Sequence, residues 1–477
     1  MEEKVIEVKA EEFKRVCLDR HQRLRSPVMM FFASDERAKE GAFVLRAVFR
    51  EGDVRWHIVK LKVPALTPSF PSIAREIYSA NLFEREIREM YGLEPVGNPD
   101  TRRLRLHEEV WPEGFYPLRK DFDPAKVEGE KGRYVFNKVE GEGIFEVPVG
   151  PVHAGIIGPG HFRFSAAGEP IIDLDIRLGF THRGVEKLLE RKLPKEALKL
   201  IECVAGDSTV AHSLAFCRAA EQINGVVVPD RAVAVREIYL ELERMYNHIA
   251  AIGGIALDVG FSAASAYASI LKEDLHQLND RLTGHRFMRG AIMLGGVAKD
   301  LDEEAADVKQ TLRSSAADLA ELKKLLMESV SFLDRVETTG QLKKKTAEDL
   351  GVVGLAARAS ARGRAGDVLA RLNARLEEFE RACQLICSKM GTLPDGEISA
   401  AADLKKEGTA IGFAEGARGP VLHWLALDGF GAIRRCKIVD PSFHNWPGLA
   451  YAVQGNIIPD FPVCNKSFDL SYSGNDL

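Results

Sequence analysis

The chain lacks any uninterrupted apolar run near the roughly 18 residues that cross a bilayer. Its closest approach, IAAIGGIALDVGF at 249–261, is broken by Asp258 and several glycines, so no membrane span is expected. It also lacks blocks of Lys and Arg interleaved with aromatic residues, and its formal net charge is −5. Nucleic acid is therefore not an expected partner. Cysteine is sparse: seven thiols, at 17, 203, 217, 383, 387, 436 and 464, are odd in number and scattered over 477 residues. Together with the opening MEEKVIEVKA, which has no apolar secretory segment, they lead to the expectation of a reducing, cytoplasmic location. Glycine pairs occur at Gly295-Gly296 and in GVVG at 351–354, but neither has the strand, Gly-x-Gly-x-x-Gly and helix context that cradles a pyrophosphate. What is present is a composition 45% hydrophobic and 28% charged, enough for a large globular protein of two or three domains.

The patterning predicts an α+β chain in two parts. Residues 1–121 read as a small α/β domain, in which FVLRAVFR (43–50) and VRWHIVKLKV (54–63) alternate as strands across an EGD turn. PSIAREIYSANLFEREIREMYG (71–92) places Ile73, Ile77, Leu82, Ile87 and Met90 on one side of a helix ending at Gly92. Its opposite side, with Glu84, Arg85, Glu86, Arg88 and Glu89, reads as a solvated or interface face. Residues 122–142 are charged and poor in core residues, a linker. The large domain, 143–477, opens with short strands in IFEVPVGPVH and HFRFSAAGEPIIDLDIRLG that form a small entrance sheet. Beyond Val185 the pattern is helical almost throughout. Apolar spacing at three and four over 235–260, 306–336 and 365–390 predicts a bundle of long antiparallel helices.

Two stretches carry a resemblance. Residues 83–122 contain Glu84-Arg85-Glu86, Tyr91-Gly92, Gly97, Pro99-Asp100, Arg102-Arg103 and Pro117-Leu118-Arg119-Lys120-Asp121. That pattern resembles the signature of the C subunit of NADH-quinone oxidoreductase, respiratory complex I. From about Gly150 onward, GPVHAGIIGPGHFRF, LGFTHRGVEKLLE, ELERMYNHIAAIG, TGHRFMRGAIMLGGVAKD, FAEGARG with a following HW, and NWPGLAYAVQGNIIPDFP resemble the D subunit of that complex. They are still more similar to the large subunit of energy-converting [NiFe]-hydrogenases of the formate hydrogenlyase type. The resemblance implies a large domain of the hydrogenase large-subunit kind. It also implies docking to an iron-sulfur small subunit and to membrane-arm subunits, which would hold the chain at the inner face of the cell membrane. Iron-sulfur clusters would lie in the partner, nicotinamide would bind another subunit, and no cofactor is expected to be resident in this chain.

In that family four cysteine thiolates hold the nickel-iron centre, because soft anionic sulfur suits those metals. They come as two Cys-x-x-Cys pairs, one leading the helix near His212 and one near the C-terminus. Aligned on Ala211, His212, Ser213, Ala215 and Phe216, the first pair falls on Ala205 and Ser208; Cys203 is two residues too early. Aligned on Asp460 to Pro462 and Ser467 to Asp469, the second falls on Ser471 and Gly474, and Cys464 is too far upstream. No metal site is therefore expected, and an active [NiFe]-hydrogenase is rejected on the ligand count. The sequence runs three residues past Gly474 to Leu477, so no maturation tail is expected. Cys383 and Cys387, at i and i+4, read as buried small hydrophobes.

Other family residues are kept. Glu186, in Arg183-Gly184-Val185-Glu186, matches the glutamate that handles protons beside the hydrogenase metal, a role suited to a desolvated carboxylate with a shiftable pKa. Arg418 in EGARG matches the arginine that overhangs it. Arg358 and Asp367 fit an Arg-Ala-Ser-Gly segment and its following Asp, with Ala361 in place of the glycine. In the corresponding complex I protein, a histidine of the first sheet turn and a tyrosine near the helix entrance bond the quinone head. Here His153 and His161 stand near that turn, while the tyrosine falls near Gly206 or Asp207. Asp207, Ser208 and His212 would line a remodelled polar cavity. His182, His248 and His285 read as structural hydrogen-bonding groups, and Glu86, Arg102 and Arg103 as groups for folding or for contacts between subunits. The expected function is a respiratory oxidoreductase subunit that takes electrons from an iron-sulfur partner to a quinone-like acceptor at the vacated nickel site, with Glu186, Arg418 and Asp207 as its catalytic residues. The alternative is a non-redox coupling subunit of an ion-translocating complex.

Overall fold

The computed structural model describes residues 2–53, 55–154, 157–301, 305–361 and 363–477. The N-terminal unit is built on a four-stranded sheet of β1 (Glu2–Val8), β2 (Met30–Glu36), β3 (Ala42–Glu51) and β4 (Arg55–Pro64), in the order β1-β4-β3-β2. β3 pairs antiparallel with both neighbours, β1 lies parallel to β4, and helix α1 (Ala10–Leu24) crosses from β1 to β2 at the opposite edge of the sheet. The two strands expected from alternation are thus β3 and β4. Val54, expected to begin the second, lies outside the described residues. β2 is buried along its whole length, so its sequence shows no alternation. One side meets α1, with Phe31 5.8 Å from Phe13; the other meets the C-terminal part of the chain, where Phe32 lies 4.8 Å from Trp424. The small unit and the large one therefore share a core.

The helix expected over 71–92 is shorter. Only α2 (Asn81–Tyr91) is α-helical, preceded by a single 3-10 turn at Tyr78–Ala80. The reason is a competing acceptor: the Glu84 carboxylate takes hydrogen bonds from Ser72 Oγ (2.6 Å) and the Ile73 amide (2.7 Å), which ties the preceding segment down as a loop. The charged side of α2, expected to be a solvated or interface face, is turned inward. Glu84, Arg85, Glu86 and Glu89 are buried, because each serves groups that a loop leaves unpaired. Glu89 accepts from the Leu104 and Arg105 amides, and Arg85 donates to the carbonyls of Arg102 and Arg103.

The large unit opens with an antiparallel meander of β5 (Ile144–Val149), β6 (His161–Ala167) and β7 (Ile171–Arg177). After the short α3 (Val185–Leu189) come the long helices α4 (Thr209–Asn224), α5 (Asp230–Asp258), α6 (Ser262–Thr283), α7 (Ala305–Met327) and α8 (Val368–Gly391). The helix expected over 306–336 ends at Met327, and a new one, Val330–Val336, starts where Ser329 Oγ accepts from the Phe332 amide. Helix does not persist to the C-terminus. Residues 408–439 form a second antiparallel sheet of β8 (Gly408–Glu415), β9 (Pro420–Leu427) and β10 (Ile433–Val439). β9 is buried on both faces, so it too lacks the alternation that marks a strand. α4 lies directly on β8: a Cβ at Gly412 would stand 1.7 Å from the Ala215 carbonyl oxygen, so only glycine permits that approach. Three helices finish the chain, α9 (Pro441–Ala452), α10 (Phe461–Phe468) and α11 (Tyr472–Asp476).

Candidate functional site

Three turns converge where α4 begins: Gly206–Ser208 ahead of it, the Gly416–Gly419 turn between β8 and β9, and Asp469–Ser471 between α10 and α11. The first is clamped from α5, where Tyr246 Oη and Asn247 Nδ2 both donate to the Asp207 carbonyl, at 2.7 and 2.8 Å. Glu243, also on α5, caps α4 by accepting from the amides of Val210 (2.6 Å) and Ala211 (2.9 Å). Burial pushes its carboxyl up to about 8 despite those bonds. Sequence reasoning missed Glu243, although it belongs to the ELERMYN stretch that carried the resemblance.

Arg418 ties the turns together. Nη1 and Nη2 grip the Asp207 carboxylate at 3.0 and 2.7 Å, Nη1 also reaches Ser208 Oγ at 3.2 Å, Nη2 reaches Asp469 Oδ2 at 3.2 Å, and Nε donates to the Asp469 carbonyl. Each guanidinium nitrogen thus has an acceptor. The Arg418 side chain is 6% exposed, whereas Asp207 keeps 38% exposure toward a half-open cleft of about 270 Å³. Asp469, Lys466, Ser471 and Tyr472 also line this cleft. Burial pushes the Asp207 carboxyl up, and Arg418 overcomes it, leaving it below the ordinary range. Sequence reasoning found no aromatic hydroxyl near Asp207; Tyr246 Oη bonds its carbonyl, and Tyr472, which accepts from Asn465 Nδ2 at 3.3 Å, lines the same cleft.

The expected thiolate positions lie around this centre and do not fit a nickel-iron group. Ala205 is fully buried and apolar. Ser208 Oγ is engaged by Arg418 and by Asp207 Oδ1, at 3.2 Å. Ser471 Oγ caps α11 by accepting from the Gly474 amide at 3.0 Å. A Cβ at Gly474 would stand 2.6 Å from Asp440 Oδ2, so a side chain there collides with a buried carboxylate. Where soft sulfur would sit, the chain has an arginine held by hard oxygens. Among the described residues, no group of three or more His, Cys, Asp or Glu could hold a metal ion.

Other expected site residues lie elsewhere. His153 Nε2 donates to the Gly160 carbonyl at 2.7 Å, and His161 Nδ1 lies 3.2 Å from the Gly150 carbonyl. Neither lines the cleft, although Ile157 and Gly158 of the same turn do. Gly155 and Ile156 of that turn lie outside the described residues. His212 sits behind the cleft, with Nε2 3.1 Å from Asp440 Oδ2. Glu186 belongs to a separate closed cluster: it pairs with Arg435 Nη1 (2.8 Å) and Lys437 Nζ (3.2 Å) and accepts from the Ile438 amide (2.9 Å). Lys437 and Arg105 both reach Glu86, at 2.5 and 3.0 Å, carrying the cluster into the small unit. Burial pushes Glu186 up, but Arg435, Lys437 and Arg105 overcome it and hold the carboxyl at about 2. The expected shiftable proton carrier is thus a carboxylate fixed in its ionised form.

The remaining nominated side chains pair locally. Arg358 pairs with Glu378 and Glu415, and Asp367 caps α8 by accepting from the Ala370 amide. His182 Nδ1 donates to the Asp476 carbonyl, His285 Nδ1 accepts from the Phe287 amide, and His248 Nε2 faces Glu378 at 3.3 Å. Cys383 is buried on α8, and Cys387 is half-buried. A hollow of about 290 Å³ lies at the junction of the two units. Its Arg102 bridges Asp100 and Asp175, while Arg103 donates to the carbonyls of Leu106 and Trp111, so the charges there join the units.

Comparison with known proteins identifies the family. Residues 6–128 match the family described as "Respiratory-chain NADH dehydrogenase, 30 Kd subunit", and residues 258–363 match "Respiratory-chain NADH dehydrogenase, 49 Kd subunit". The chain is 32% identical to formate hydrogenlyase subunit 5 of Escherichia coli (strain K12), over 94% of this chain and 84% of that protein. It is 33% identical to hydrogenase-4 component G of the same organism, over 94% and 83%. With NADH-quinone oxidoreductase subunit 4 of Thermus thermophilus it shares 27% identity, over 68% and 92%.

Proposed function

The chain belongs to the family of fused complex I C/D-like subunits that includes formate hydrogenlyase subunit 5, and on that premise we propose that it passes electrons from an iron-sulfur partner to a quinone-like acceptor at the Arg418 cleft. As a member of that family it is a subunit of a complex I-like or formate hydrogenlyase-like assembly. No helix among the described residues is long and apolar enough to cross a membrane, so attachment to the inner face of the cell membrane would be through partner subunits. The observation that carries the reading is the cleft itself. It is lined by Ser471, one of the positions that the resemblance aligns with a thiolate, is half open, and sets Tyr472 and Lys466 beside the Asp207–Arg418 pair. A quinone supplies a head that takes up two electrons and two protons. In this chain Tyr472 and Lys466 are the groups to bond its oxygens, and Arg418 with Asp207 forms the polar floor.

One observation favours the second reading, a non-redox coupling subunit: every nitrogen of Arg418 is already engaged within the chain. The two are separated by titrating the purified complex with a short-chain ubiquinone analogue. The electron-transfer reading expects saturable binding that Tyr472→Phe weakens about fivefold, the worth of one hydrogen bond near 1 kcal/mol. Absence of saturable binding to the native complex would pass the conclusion to the coupling reading.

A further inference from the structure

Behind the cleft lies a line of buried polar groups that the acceptor site does not use. His212 on α4 and His423 on β9 are both fully buried, and their rings meet edge to face, with His212 Nδ1 3.0 Å from His423 Nε2. The other nitrogen of His212, Nε2, faces Asp440 Oδ2. Asp440 adjoins the cleft wall: its Oδ1 accepts from the Ser442 amide at 2.7 Å, Ser442 Oγ accepts from the Ser471 amide at 2.9 Å, and Ser471 lines the cleft. At the far end, β9 sets His423 directly across from Ile438 of β10, whose amide holds Glu186. Thus a histidine pair stands between a carboxylate at the cleft and a carboxylate in the closed cluster.

The hydrogen-bonding capacity of the pair is not used up. His423 Nδ1 is buried without a partner among the described residues, and so are Arg435 Nε and Glu86 Oε2 in the neighbouring cluster. Buried polar atoms in that condition are places for internal water. The pair also has two consistent arrangements. With Asp440 ionised, His212 donates Nε2–H to it, His423 donates Nε2–H to His212 Nδ1, and His423 Nδ1 is left with a lone pair. In the other arrangement His423 carries its proton on Nδ1, His212 donates Nδ1–H to His423 Nε2, and Asp440 holds a proton that it donates to His212 Nε2.

We propose that the His212–His423 pair conducts protons from internal water beside Glu186 to Asp440 at the cleft. This rests on the reading of the cleft as the place where an acceptor is reduced, since that reduction takes up protons. A proton from water binds His423 Nδ1; the Nε2–H bond of His423 breaks as His212 Nδ1–H forms; the Nε2–H bond of His212 breaks as Asp440 Oδ2–H forms. One proton enters and one leaves the pair, with no change in oxidation state. Glu186, held ionised by Arg435 and Lys437, is the counter-charge for the moment when the proton sits on His423. The Asp440 Oδ2–H bond then breaks as the proton passes to water of the cleft, and the charge of Arg418 favours the ionised Asp440 that remains. The Phe216 ring also packs edge to face on His423, with centroids 6.1 Å apart. Burial pushes His423 well below the ordinary imidazole range, consistent with a neutral His423 at rest.

The test reads tautomers rather than turnover. In the purified complex carrying ring-15N-histidine, with His212→Gln and His423→Gln used only to assign signals, the ring nitrogens are followed from pH 5 to 9. The expected result is that His212 and His423 exchange tautomers in one shared transition. Asp440→Asn, whose amide cannot take up the proton, should abolish the exchange and leave both rings in one tautomer; should that variant not fold, the isosteric Glu186→Gln, which removes the counter-charge, should slow the exchange. A His423 that keeps one tautomer throughout, whether or not His212 titrates, overturns the proposal. No quinone is present, so a frozen pair rejects the path and leaves the acceptor reading intact. Loss of analogue binding with a mobile pair rejects only the acceptor.

Discussion

The Arg418 cleft and the Glu186 cluster are two charged centres built by opposite rules. In the cleft, one buried guanidinium meets two carboxylates, and one of these, Asp207, is more than a third exposed. In the cluster, Glu86 and Glu186 face Arg105, Arg435 and Lys437, all of them buried. The cleft is thus open to solvent on one side, with its guanidinium held by carboxylates from two turns. The cluster is buried. Buried ion pairs contribute little to stability as a whole but are costly to break singly, because the surviving partner is left charged without water. Exposed pairs carry no such penalty.

The strongest way to break this contrast is Glu186→Leu. Arg435 and Lys437 would lose a shared counter-charge in the interior, and the expected loss is about 3–5 kcal/mol, read as a fall in the denaturation midpoint of the purified chain. If the loss were as small as that for a surface pair, the cluster would have to be wetter than its burial indicates. A second, smaller effect separates the cleft's support from both. Glu243 is held at about 8 by burial, far above its value in an unfolded chain. Its stabilising contribution is therefore full below pH 4 and is lost as pH rises through 8. Between pH 6 and 8 the native chain should lose about 2 kcal/mol on this account, and Glu243→Gln should flatten that slope. An unchanged slope would show that the carboxyl is already ionised when it caps α4.

Much of this contrast was legible before the fold. The residues of both centres, Asp207, Arg418 and Glu186, were nominated from the motifs, and the absence of thiols at Ala205, Ser208, Ser471 and Gly474 was a matter of reading the sequence. What could not be read was pairing. Arg435 and Lys437 lie on β10, in a sheet hidden because β9 is buried on both faces and so lacks the period of two that marks a strand. The charged side of α2 looked solvated because charge alone does not reveal that loop amides and Lys437 lie opposite. Tyr472 and Glu243 were missed for a simpler reason. Tyr472 lines the cleft and Glu243 caps α4 from segments far from Asp207 in sequence, and only packing brings them near.

Asp207→Asn tests the open side of the comparison. The Arg418 guanidinium would keep Asp469 and the Asp469 carbonyl, and the exposed side of the pair is already screened by solvent. The expected cost is about 1 kcal/mol, measured on the same chain and under the same conditions as Glu186→Leu. A loss equal to that of Glu186→Leu would mean that the cleft closes in solution and that the two centres follow one rule.

The smallest effect expected is at His153, and it fixes where the cleft ends. Its ring donates to the Gly160 carbonyl at 2.7 Å and packs 5.6 Å from Phe162, away from the cleft lining. His153→Gln should cost about 0.5–1 kcal/mol, the worth of one hydrogen bond between neutral groups, and should leave binding of the ubiquinone analogue unchanged. The resemblance to complex I places a quinone-bonding histidine in this turn, so a tenfold weakening by His153→Gln would return the ligand to the position that resemblance implies. An unchanged affinity together with a loss at Tyr472→Phe would place the acceptor against the α10–α11 turn, where the chain itself has brought a phenol to replace the missing one.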